Sequence, residues 1–186
     1  ITIHGTDNVT IDNNFFYNTI GHTVFLEDGV EENNTITNNV VALSVRPARG
    51  TEVTPSDNEL NQAQNRTPSS YWITHPNNTV ENNVAAGGEG TGFWYIFPST
   101  RIGLSADLTY YDSATIAYYS PMGSFDGNVA HSYMNGWDIF DRLSASHGIQ
   151  KNTGWAEASD HVFENSLWYA NETALYTGIG QPDIIP

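Results

Sequence analysis

The 186-residue chain contains no cysteine, which excludes disulfides, thiolate nucleophiles, iron–sulfur clusters and cysteine-based zinc sites. Basic residues are scarce. Six Lys and Arg stand against 21 Asp and Glu, a formal charge of −15. Nucleic acid is excluded as a partner, because phosphate binding rests on clustered cations. Attraction to an anionic membrane surface is excluded on the same ground. No apolar run approaches the roughly 18 residues that mark a membrane-spanning helix, so no membrane insertion is expected. No signal peptide is visible. The chain opens on ITIHG, without Met and already strand-like. That beginning reads as a matured product or a segment of something longer. Low Lys, Glu and Leu content argues against helices.

What the chain has in abundance is asparagine, twenty of them. Asn is depleted in helices and strands and favoured in turns and left-handed positions. Yet 12% of the residues are aromatic and 39% hydrophobic, too apolar for a disordered chain. The length fits one domain over residues 1–186. Five segments explain the asparagines: 10–18 (TIDNNFFYN), 35–43 (TITNNVVAL), 79–87 (TVENNVAAG), 124–132 (SFDGNVAHS) and 161–169 (HVFENSLWY). Aligned on their fifth residue, they give a column of Asn14, Asn39, Asn83, Asn128 and Asn165. Three residues earlier stand Ile11, Ile36, Val80, Phe125 and Val162. Two residues later stand Phe16, Val41, Ala85, Ala130 and Leu167.

Apolar residues two apart in a strand point the same way, and a coil that cannot bury its inner face alone must stack on neighbours. Asn at the corner between two short strands can sit in the left-handed region, and its amide can bond to the coils above and below as a ladder. The pattern therefore predicts an all-β chain, a right-handed parallel β-helix of about five coils. Further apolar stretches at 23–26, 92–95, 136–140 and 174–177 supply another sheet. Spacings of 25, 44, 45 and 37 residues exceed a simple coil. The excess is placed in loop excursions at 46–70, 98–122 and 142–159.

Two long runs, 21–29 (GHTVFLEDG) and 71–95 (YWITHPNNTVENNVAAGGEGTGFWY), with the linking 54–58 (TPSDN), resemble the parallel β-helix region of the fibrocystin-like and cell-migration-inducing hyaluronidase family. The similarity covers 1–97 well and 123–140 more loosely. The resemblance independently implies the β-helix. It also implies a large extracellular or cell-surface protein, since some members degrade hyaluronan and others are giant receptors or surface-coat proteins.

The residues suggest four constellations. His22, Glu27 and Asp28 flank the stretch 23–26. Paired carboxylates there could supply the acid and base of glycoside hydrolysis, although Asp before Gly is also ordinary turn chemistry. His75, held extended by Pro76, could reach the same face as His22 as a general acid or base. Trp94, Tyr95 and Trp137, with Asp138 and Asp141 at coil positions related to Phe25 and Asp28, suit the faces and hydroxyls of sugars. The acidic run Glu27, Asp28, Glu31 and Glu32 offers hard oxygen ligands of the kind Ca2+ takes. No His-X-His or His-Glu-X-X-His spacing exists, so the sequence assigns no zinc site. Among five Asn-X-Thr sequons, Asn65 and Asn171 are the glycosylation candidates of a secreted chain. Two functions stay open: a structural or recognition segment partnered by further coils, other domains, a second copy or a polysaccharide; and a glycoside hydrolase acting on an acidic polysaccharide.

Overall fold

A computed structural model describes residues 1–58, 67–108, 116–139, 141–144, 149–150, 161–176 and 184–185. After β1 (Thr2–Ile3) the chain makes repeated three-strand coils. The first holds β2 (Thr10–Asp12), β3 (Phe15–Ile20) and β4 (Val24–Leu26). The second holds β5 (Thr35–Thr37), β6 (Val40–Val45) and β7 (Ser69–Ile73). The third holds β8 (Thr79–Glu81), β9 (Val84–Gly88) and β10 (Thr91–Tyr95). The fourth holds β11 (Ser124–Asp126), β12 (Val129–His131) and β13 (Asn135–Asp138). A hairpin, β14 (Arg142–Leu143) with β15 (Ile149–Gln150), follows. β16 (His161–Val162), β17 (Leu167–Tyr169), β18 (Thr173–Tyr176) and β19 (Ile184–Ile185) complete the strands.

Sheet one has the order β11-β8-β5-β2, sheet two β17-β12-β9-β6-β3, and sheet three β1-β4-β7-β10-β13-β18. Every pairing within these three sheets is parallel. The chain is the parallel β-helix that the repeat predicted. Each coil buries one residue per short strand. Ile11, Ile36, Val80 and Phe125 share a register in sheet one, and Val41, Ala85 and Ala130 share one in sheet two. All are buried.

The corner between sheets one and two is built from two consecutive residues with separate tasks. Asn13, Asn38, Asn82, Gly127 and Asn165 take the left-handed turn, with φ from 51° to 64°. The residue after each makes the ladder. The backbone N–H groups of Asn14, Asn39 and Asn83 donate to Oδ1 of Asn39, Asn83 and Asn128, each at 3.0 Å. Nδ2 of Asn39, Asn83 and Asn128 donates to the carbonyls of Ile11, Ile36 and Val80 at 2.8 Å.

The fifth rung corrects the sequence alignment. Asn128 N–H donates to Ser166 Oγ at 3.3 Å, and Asn165 is the turn residue, its Nδ2 bonded to Asp126 Oδ1. Leu167 pairs with Val129 and Trp168 with Ala130, while Glu164 bridges Asp126. Phe163 and Trp168 therefore continue the inward columns, and Leu167 is exposed. Two neighbouring apolar residues fit the offset equally well, and a one-residue slip in a strand exchanges its faces.

Two further ladders escaped the alignment. Val9 N–H donates to Asn34 Oδ1 and Asn34 N–H to Asn78 Oδ1, at 2.9 and 2.8 Å, at the corner between sheets three and one. At the remaining corner the hydroxyls of Thr23, Ser44, Ser70 and Tyr133 form a chain. The signal for the first was present in the Asn-Asn-Thr runs at 33–35 and 77–79, which also read as sequons.

Inside, Tyr71 stacks on Phe93 with centroids 4.5 Å apart, and Phe125 on Trp137 at 5.2 Å. Burying each such ring contributes roughly 1.5–3 kcal/mol. A second apolar cluster lies on the outer face of sheet three: Phe25, Trp72, Trp94 and Ile96 beneath Ile102, Leu143 and Ile149. The excursions thus cover one sheet, which explains why its four central strands, β4, β7, β10 and β13, are buried throughout.

Candidate functional site

The first coil of sheet three brings together residues far apart in the chain. Thr2 pairs with Phe25 and Ile3 with Leu26, so His4 and Glu27 leave the sheet side by side. Glu27 N–H donates to the Ile3 carbonyl at 3.3 Å. His4 Nδ1 lies 3.1 Å from Glu27 Oε2 and 3.9 Å from Asp28 Oδ1. The His4 side chain is 42% exposed and Glu27 14%, so the cluster opens to solvent on one side. Asp28 is wholly buried. Its Oδ2 accepts from Ser105 Oγ at 2.8 Å, and its Oδ1 has no hydrogen-bond partner.

The cluster is held by a third acid. Buried Glu31 accepts at Oε1 from the backbone N–H of Gly5 and of Asp28, both at 2.9 Å. Its Oε2 accepts from the N–H of Gly29 and Val30 and from Thr74 Oγ1. Glu31 thereby ties the loop after β1 to the loop after β4, fixing both residues that flank the site. Burial raises the Glu31 carboxyl above the usual range, and the backbone donors oppose that shift. Burial also raises Glu27, opposed by His4. Ser105 arrives from the 98–122 excursion, anchored where Ile102 N–H donates to the Asp28 carbonyl at 3.0 Å.

The other residues expected to carry chemistry lie elsewhere. His22 precedes β4, at the opposite end of that strand from Glu27. Its ring lies between Phe25 and Trp72, with centroids at 5.0 and 4.2 Å. Nδ1 accepts from Ser69 N–H at 3.0 Å, and Nε2 lies 3.1 Å from Ser56 Oγ. Burial pushes its pKa down to about 4, against the pull of Asp57, so the ring is neutral at pH 7. His75 follows β7 and is buried, with Nδ1 accepting from Asn77 N–H at 3.2 Å. The two histidines sit at opposite ends of sheet three and do not share the face expected of them. Of the acidic run, Glu27 and Asp28 converge. Both Glu31 oxygens are occupied, and Glu32 Oε2 bonds Asn77 Nδ2.

Trp94, Tyr95, Trp137, Asp138 and Asp141 are all buried, which corrects their reading as a sugar-facing row. Tyr95 and Trp137 point into the core. Trp94 faces outward by strand alternation but is roofed by the excursions. Asp138 Oδ2 accepts from Asn135 Nδ2. Asn65 lies outside the described residues. Asn171 Oδ1 accepts from Tyr133 N–H and its Nδ2 donates to the Ala130 carbonyl, so a glycan there would displace a bond between coils.

Exposed rings occur instead on sheet two. One outward column runs Phe15, Val40, Val84, Val129, Leu167, and the next runs Tyr17, Ala42, Ala86, His131, Tyr169. Phe15, Tyr17 and Tyr169 are 68%, 70% and 47% exposed, and His131 stacks on Tyr169 at 4.8 Å. Val40, Val84, Val129, Ala42 and Ala86, all partly buried, lie between Phe15 and Tyr17 at one end and His131, Leu167 and Tyr169 at the other, a trough of smaller side chains across four strand spacings of roughly 4.8 Å, about 19 Å in all.

Residues 1–137 match the family model described as CEMIP beta-helix. The chain is 34% identical over 149 residues to the human cell surface hyaluronidase CEMIP2, covering 71% of this chain and 10% of that protein. It is 34% identical over 137 residues to human fibrocystin-L, covering 74% and 3%. It is 33% identical over 158 residues to the human cell migration-inducing and hyaluronan-binding protein, covering 76% and 11%. The chain thus spans about a tenth or less of these curated relatives.

Proposed function

The chain belongs to the CEMIP β-helix family, and from that premise we propose that it is a scaffold and recognition segment of a large cell-surface protein whose second sheet faces carbohydrate. The observation that carries this reading is the trough on sheet two. Phe15 and Tyr17 stand at one end and Tyr169, stacked on His131, at the other, valines and alanines lie between, and the coil spacing presents the rings at fixed positions. Flat exposed rings suit the apolar faces of sugars, and the parallel columns suit a polysaccharide lying along the helix axis. The net charge of −15 disfavours a highly sulfated chain by like-charge repulsion. The printed names of the relatives, hyaluronidase and hyaluronan-binding protein, make hyaluronan the first polymer to test. Titration of hyaluronan and neutral polysaccharides against the parent chain and Tyr17→Ala should show weaker binding in the variant. Equal binding of both would remove sheet two from the reading.

Hydrolysis of an acidic polysaccharide is the second reading. It is supported by one observation, the convergence of the Glu27 and Asp28 carboxylates beside half-exposed His4. On that reading His4 takes the assisting part expected of His22 and His75. Loss of polymer cleavage in Glu27→Gln and Asp28→Asn supports it, and unchanged cleavage sinks it.

A further inference from the structure

We propose that His4, Glu27 and Asp28 form a site for a divalent transition-metal ion of the Zn2+ type. One ligand atom from each residue lies within 4.8 Å of the other two. Two ligands about 2.1 Å from a tetrahedral ion stand about 3.4 Å apart. The distances from His4 Nδ1 to Glu27 Oε2 and Asp28 Oδ1, 3.1 and 3.9 Å, bracket that value.

An independent observation points the same way. Asp28 Oδ1 is buried and has no hydrogen-bond partner, and it faces His4. A carboxylate oxygen removed from water without a donor is unfavourable. A cation supplies the missing partner. The second carboxylate oxygen is already oriented by Ser105 Oγ at 2.8 Å, as metal-ligating carboxylates commonly are. Glu31 pins both loops through Gly5 and Asp28, so the ligands are positioned before an ion arrives.

The donor set selects the class of ion. Imidazole nitrogen with two carboxylates suits Zn2+ and its neighbours. Ca2+ takes six to eight oxygens, and of the adjacent acids Glu31 spends both its oxygens, and Glu32 its Oε2, on hydrogen bonds within the protein. The half-exposed side of His4 leaves a fourth position for water, the arrangement of three-ligand zinc sites.

The test is calorimetric titration of ZnCl2 into the EDTA-stripped chain, with no glycan present, so its outcome is separate from the saccharide reading. The expected result is one saturable ion per chain and a raised unfolding temperature at saturation. His4→Ala should lower the affinity at least tenfold. Its partly exposed ring makes the variant a safe test of folding, checked by an unchanged β-sheet circular dichroism spectrum. Ser105→Ala should weaken binding by a smaller factor. The proposal is overturned by the absence of one-to-one binding, by His4→Ala binding as tightly as the parent, or by CaCl2 binding more tightly than ZnCl2.

Discussion

Asn39 donates to Oδ1 of Asn83 twice, from its backbone N–H and from its Nδ2, both at 3.0 Å. One side-chain oxygen thus closes a corner of the coil below while its own amide nitrogen bonds the Ile36 carbonyl at 2.8 Å. Replacing Asn83 with Ala orphans several buried groups at once. With each hydrogen bond worth about 1 kcal/mol net, Asn83→Ala should cost about 3 kcal/mol. Asn14→Ala, at the exposed first rung, should cost about 1 kcal/mol. Urea unfolding of both variants checks the order, and equal losses would refute the ladder's role.

The pH dependence of stability should carry the mark of His22. The unfolded ring takes up its proton near 6.5, and the buried ring near 4. Because the folded pKa is depressed, the unfolded chain binds more protons between those values. Stability is therefore complete above pH 6.5 and is lost as pH falls toward 4, by on the order of 3 kcal/mol. His22→Gln should flatten this part of the curve. Parallel curves for parent and variant between pH 7 and 4 would contradict the assignment.

Close packing of sheet three on sheet two requires a glycine at 92. A Cβ there would lie 2.6 Å from the Gly136 carbonyl oxygen and 2.8 Å from Ala130 Cβ. Backbone cannot yield as a flexible side chain can, so Gly92→Ala should destabilise by about 1–3 kcal/mol and Gly92→Val by more. Thermal unfolding measures both, and a neutral Gly92→Ala would show that the two sheets can separate freely.

The exposed rings of sheet two offer the opposite case. Tyr17→Ala and Tyr169→Ala remove little buried contact and should change stability by no more than about 0.5 kcal/mol. On the saccharide reading each should weaken polysaccharide binding several-fold, by loss of ring stacking. A loss of binding matched by a loss of fold would carry no support for that reading.

The repeat was legible because its parts are local. A left-handed turn residue, an amide beside it and apolar residues at fixed offsets leave their trace in composition and spacing. The slip at Asn165 shows where that stops. Val162 and Leu167 fit the apolar offsets as well as Phe163 and Trp168, and only the pairing of Leu167 with Val129 selects between them. His4 was passed over because a lone histidine after a short strand carries no spacing signal. Its meaning comes from Glu27, 23 residues later, beside which the first coil sets it.

Local pattern along the chain was enough for the coils, their amide ladder and the family, because stacking repeats the same short-range interactions at every turn. Which side chains meet solvent was decided by the tertiary structure alone. Trp94 obeys strand alternation and points outward, yet Ile102, Leu143 and Ile149 cover it, while Tyr17 and Tyr169 on the uncovered sheet remain in water. Alternation fixes a side chain's direction, but burial depends on what the excursions lay over it, and that is a long-range choice no local pattern encodes.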